Sequence, residues 1–109
     1  MAYYDGDGKV YVYSEGQINL NRDSSDLFRN FKSVTYIGVE NVKATNLANM
    51  NSMFNGCHKL TTIDVSNFDT SNVTNMYYLF GECSKLTSVD ISNFDTSNVT
   101  SIGGIVFTS

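Results

Sequence analysis

Asn49 to Thr74 reads NMNSMFNGCHKLTTIDVSNFDTSNVT, and Asn75 to Thr100 reads NMYYLFGECSKLTSVDISNFDTSNVT, a match at 17 of 26 positions without a gap. Identity at that level between adjoining segments marks an internal repeat, so one structural unit is built twice in succession. One period earlier, Val34, Ile37, Val39, Val42 and Leu47 fall in register with Leu60, Ile63, Val65, Phe68 and Val73, and Phe28 aligns with Phe54 and Phe80. One period later, Ile102, Ile105 and Val106 fall where Met76, Leu79 and Phe80 stand. The repeat region is read as 24–109, with units of about 24–48, 49–74 and 75–100 and a partial unit over 101–109.

The apolar spacing changes within each unit. Val73, Met76, Leu79, Phe80 and Cys83 follow the i, i+3, i+6, i+7, i+10 spacing of one face of a short helix, and Leu47, Met50, Met53, Phe54 and Cys57 repeat it. Leu60, Ile63 and Val65, with Leu86, Val89 and Ile91, have the LxxLxL spacing of a short inward-facing strand. The expected fold is an α/β solenoid of the leucine-rich-repeat kind, a right-handed stack with one short helix and one short parallel strand per coil. Neither element buries its apolar face alone, so neighbouring coils must cover one another. Residues 1–23 carry KVYVY and QINL between the turn-forming strings DGDG and SEG, which predicts a small β hairpin or meander capping the first coil.

Composition narrows the function. The 109 residues are 41% apolar and 17% charged, as in ordinary folded domains, with a net charge of −4. Seven scattered Lys and Arg give no basic footprint, so direct nucleic-acid binding is not expected. No run is long and apolar enough for membrane insertion, and MAYYDGDGK lacks the layout of a signal peptide, which as written favours the cytoplasm.

Equivalent residues of stacked units form columns. Asn41, Asn67 and Asn93, and likewise Asn46, Asn72 and Asn98, suit amides that satisfy turn backbone or bond along the stack. Asp69 and Asp95 head the DTSNVT string, where Asp accepts backbone N–H groups. Cys57 and Cys83, one unit apart, read as buried free thiols. His58 is the sole histidine and falls at a variable turn position, so neither a zinc centre nor a His-based catalytic device can be assembled. The string Tyr3-Tyr4-Asp5-Gly6-Asp7-Gly8-Lys9 lacks the first and last ligands of a calcium loop. No metal, cofactor or enzymatic activity is expected.

What remains for binding is where the units differ. Asn51-Ser52 becomes Tyr77-Tyr78, and paired tyrosines are favoured at interface centres, although the same rings can cover a neighbouring coil. The strand face offers Tyr36 beside Thr62 and Ser88, with Asp64 and Asp90 in one column and Glu40 near them. Ile105, Val106 and Phe107 end the last coil without a polar cover, which marks them for self-association as a homodimer.

The unit MFxxCxxLxxIDxSNFDTSNVTNM, carried by residues 24 to 107, resembles the repeats of BspA-like bacterial surface proteins. That resemblance implies a leucine-rich-repeat fold, a cell-surface or secreted location and a non-catalytic, adhesin-like role in binding another protein. The alternative is a small acidic intracellular inhibitor from a phage or mobile element, such as an anti-CRISPR, acting by protein–protein contact.

Overall fold

The computed structural model describes residues 2–4, 6–12, 19–39 and 42–104. Successive units lie on one another as layers, and the route of the main-chain amides explains how. In the second layer Met53 N, Asn55 N and Cys57 N donate to Met50 O, Ser52 O and Phe54 O at 3.2, 3.1 and 3.3 Å, closing tight turns three residues long. The residues between them donate out of the layer: Met50 N, Ser52 N, Phe54 N and Gly56 N reach Asn75 O, Tyr77 O, Leu79 O and Gly81 O at 2.8 to 3.0 Å. The first layer does the same, with Ser24, Asp26, Phe28 and Asn30 donating to Asn49, Asn51, Met53 and Asn55. Alternate amides thus serve the turn and the next layer, which meets the requirement that buried backbone groups be paired.

The expected α/β solenoid of helix and strand is overturned. No helix occurs among the described residues, and the strands are β1 (Ala2–Tyr4), β2 (Lys9–Val12) and β3 (Tyr36–Gly38), in one open sheet. The reason lies in two columns of backbone conformation. Asp26, Ser52, Tyr78 and Gly104 have φ of 60, 55, 53 and 69°, and Asn30, Gly56 and Glu82 have 62, 83 and 59°. A left-handed residue every fourth position interrupts any right-handed helix, so the chain turns repeatedly instead. Apolar residues three and four apart still face inward, since Met50, Met53, Phe54 and Cys57 are all fully buried. The expected strands are reduced likewise: beyond β3 the column survives as a single bridge between Tyr36 and Thr62. Past it, Phe68 N and Phe94 N bend back to Val65 O and Ile91 O at 3.1 and 2.9 Å.

β1 and β2 pair antiparallel, Ala2 opposite Val12, through a turn in which Gly6 and Gly8 take φ of 85 and 88°. β2 then runs parallel to β3, with Val10 beside Ile37, so the N-terminal segment covers the edge of the first layer. Residues 13–18 of the expected cap, Gln17 and Ile18 among them, lie outside the described residues.

The core is a set of columns. Phe28, Phe54 and Phe80 stack with centroids 5.5 Å apart and planes 11° from parallel. Beside them Cys57 Sγ donates to Phe28 O at 3.2 Å and Cys83 Sγ to Phe54 O at 3.1 Å. Both cysteines are free and buried, and contact with Cys83, followed by burial, pushes the Cys57 thiol well above its ordinary value. Asn67 and Asn93 face back one layer: the Asn67 amide bonds Val42 O, and that of Asn93 reaches Ser66 O at 2.9 Å and Phe68 O at 3.3 Å. Ile63, Val65, Phe68 and Val73 are buried, whereas their third-layer equivalents Val89, Phe94 and Val99 are only partly buried and Ile91 is 41% exposed.

Candidate functional site

Two exposed stations of the layer carry the candidate residues. At the turn station Tyr77 and Tyr78 are 39% and 43% exposed, with centroids 4.4 Å apart and planes at 61°, an edge-to-face pair. Their position follows from the backbone: the Asn75 Oδ1 accepts Tyr77 N at 3.0 Å, and the left-handed Tyr78 turns its ring outward and over the next layer. There Gly103 and Gly104 make room, since a Cβ on Gly103 would stand 2.9 Å from Tyr77 Cε1 and one on Gly104 would overlap the Tyr78 ring. Each ring covers a glycine of the next layer and keeps a solvent-facing side. The hydrogen bond with Tyr78 holds the Tyr77 phenol above its ordinary value.

At the other station the pairing of β2 with β3 brings Tyr11 onto Tyr36, with centroids 5.6 Å apart and planes at 55°. Tyr36 is half-buried and bridges to exposed Thr62, and the exposed Asp64 and Asp90 follow two residues on from Thr62 and Ser88. Sequence reasoning does not single out Tyr11. The alternation of KVYV does place it opposite buried Val10, but its meeting with Tyr36 depends on a parallel register that nothing local encodes. Glu40, Ile105, Val106 and Phe107 lie outside the described residues.

The carboxylates of these columns are engaged in turns. Asp64 Oδ1 accepts Ser66 N at 3.0 Å and Ser66 Oγ at 2.6 Å, and Asp23, Asp69 and Asp95 repeat the arrangement with Ser25, Ser71 and Ser97. The serine hydroxyl and then its main-chain N–H hold each carboxyl below its ordinary value, as they do at Asp90 with Ser92. At Asp64 the neighbouring charge of Asp90 works weakly against this.

A pH dependence follows. A carboxyl depressed on folding stabilises the folded chain above the unfolded-state value, 3.8, and that contribution is lost as the pH falls through the folded values. Thermal melts are expected to give a level Tm from about pH 7 to 5 and a falling one below about pH 4. A Tm that rises on acidification would contradict the assignment.

Among the described residues no group of three or more His, Cys, Asp or Glu is placed to hold a metal ion, and no helix is long and apolar enough to cross a membrane. Both stations present aromatic faces and phenol hydroxyls on a frame fixed by main-chain bonds, and the Tyr36 station adds the carboxylates of Asp64 and Asp90.

No curated protein and no solved structure matches the chain. A family model does match, over residues 22–108, and its span takes in every layer together with both stations except Tyr11. The chain therefore belongs to the family described as Mycoplasma protein of unknown function, DUF285.

Proposed function

We propose that the chain is a non-catalytic protein-binding module, with Tyr77 and Tyr78 as the main contact and the Tyr11–Tyr36 and Asp64–Asp90 station as a second. The observation that carries the proposal is the tyrosine pair itself, two large rings kept partly in solvent at a position where the preceding layer has Asn51 and Ser52. Aromatic rings held by the backbone lose little entropy when a partner covers them. The resemblance of the repeat string to BspA-like surface repeats supports a partner met at a cell surface.

The test compares the wild-type chain with two variants, Tyr77→Ser/Tyr78→Ser and Tyr36→Ser/Asp64→Asn/Asp90→Asn, each immobilised and exposed to host-cell surface extract. Retained proteins are identified by mass spectrometry, and matched melts show which variants stay folded. A partner held by the wild type is expected to lose about thirty-fold in affinity for the double tyrosine variant, the size of a central interface residue. An unchanged retained set, or none at all, counts against the proposal.

A further inference from the structure

Two asparagine columns run along the stack, and members of both donate back one layer, Asn93 to Ser66 O at 2.9 Å and Asn98 to Ser71 O at 2.7 Å. Asn67, half-buried, donates to Val42 O, and the exposed Asn93 also reaches Phe68 O at 3.3 Å. Asn46, Asn72 and Asn98 turn outward, all three exposed, and line one side of a groove of about 440 Å³. The other side is formed by Arg22, Ala48 and Thr74, the corresponding column of the first three layers. Of the three amides Asn98 donates to Ser71 O at 2.7 Å, and the Thr74 hydroxyl donates to Ala48 O at 3.4 Å. Arg22 makes no ion pair among the described residues, where the resolved pair is Arg29 with Asp26.

We infer that this groove binds a short extended peptide segment ending in a carboxylate. A side-chain amide carries one acceptor and two donors, of which Asn98 commits one to Ser71 O, and these groups are the complement of a peptide's own N–H and C=O. From Asn46 to Asn98 is two layer steps of about 4.8 Å, close to the length of three residues of extended chain at about 3.3 Å each. Ala48 leaves space for a side chain between the polar rows. At the first-layer end the guanidinium of Arg22 supplies the fork that pairs with a carboxylate through two parallel hydrogen bonds. A sugar ligand fits less well, because none of the residues lining the groove is aromatic and so none provides a flat platform for a ring. A polyanion such as nucleic acid fits less well still, since Arg22 is the one charged residue in the lining and the chain carries a net charge of −4. The groove uses neither tyrosine station, so the inference stands apart from the function proposed above.

The test is a titration of the full isotope-labelled chain, followed by NMR at the side-chain amide signals of Asn46, Asn72 and Asn98. The probes are acetyl-Ala-Ser-Ala with a free carboxylate, the same peptide with a C-terminal amide, and glucuronate. Saturable shifts at the three amides are expected with the free acid, with about ten-fold weaker binding of the amidated peptide. Arg22→Gln should erase that preference while leaving the melting temperature unchanged, because the Arg22 side chain is exposed and its carbonyl, which accepts Ala48 N, is retained. Asn72→Ala should weaken both peptides, and Tyr77→Ser/Tyr78→Ser should weaken neither. No saturable shift at millimolar peptide, an acid preference that persists in Arg22→Gln, or saturation by glucuronate where the peptides fail would each overturn the inference.

Discussion

Phe54→Ala is expected to cost about 3–5 kcal/mol, the usual range for removing a buried aromatic ring. Phe54 is wholly buried, and its ring lies between those of Phe28 and Phe80 at 5.5 Å on either side. Truncation removes two stacked contacts at once and opens a void that neither neighbour can fill, because each is tied to its own layer. Domains of this size are stable by about 5–15 kcal/mol, so the loss is a large share of the total. A drop in Tm on the order of 15 °C should accompany it. The control is Ile91→Ala, whose side chain is 41% exposed and whose loss should cost less than about 1 kcal/mol. Chemical denaturation of the two variants measures the difference, and equal costs would show that the aromatic column is not the centre of the core.

Gly56→Val is expected to be nearly as damaging, at about 2–4 kcal/mol, for a reason that lies in the backbone. Gly56 has φ of 83°, which a β-branched residue strongly resists, and an added Cβ would overlap the Asn30 side chain and stand 3.3 Å from Asn30 Cα. The strain cannot be relieved by rotation alone, since Gly56 N is also bound to Gly81 O at 2.9 Å. Glu82 stands one layer on with φ of 59°, and there the opposite change, Glu82→Gly, should alter stability by only about 0.5 kcal/mol. Relief of the left-handed conformation is offset by the freedom glycine gains in the unfolded chain. Denaturation midpoints for the pair give the check, and a tolerated valine at position 56 would refute the role of the left-handed column.

The columns of this fold are legible in the repeat alone. Phe28, Phe54 and Phe80 align in sequence and stack in space. The same alignment sets Tyr77 and Tyr78 against Gly103 and Gly104, although the fit of ring over glycine is a matter of three-dimensional contact. The helix is not legible in the same way, because spacing reports which side chains face inward and is silent about where the amides go. A signal against it stands in Asn55-Gly56, a turn dipeptide inside the last turn of the expected helix, and in Gly103-Gly104 at the other turn. The neighbouring units mask that signal, holding Arg29-Asn30 and Gly81-Glu82 at the first place and Asn51-Ser52 and Tyr77-Tyr78 at the second. Ser52, Tyr78 and Glu82 are residues that seldom adopt the left-handed conformation unaided, and the layer contacts impose it on them. Tyr11 and Arg22 escape sequence reasoning for a related reason: each belongs to a site only through neighbours one or more layers away.

A stack closed by bonds from each unit to the next has a consequence for how its gene can change. In-frame duplication or loss of one whole unit leaves every remaining column aligned, with Phe on Phe and Asn on Asn. Insertion of a single residue shifts everything downstream in that unit and sets left-handed positions against side chains that reject them. The near-identical strings at 49–74 and 75–100 are also the segments whose coding sequences can recombine with each other. Variation in the number of layers is therefore the change this architecture absorbs with least damage, and each added layer would lengthen the asparagine-lined groove by one more amide.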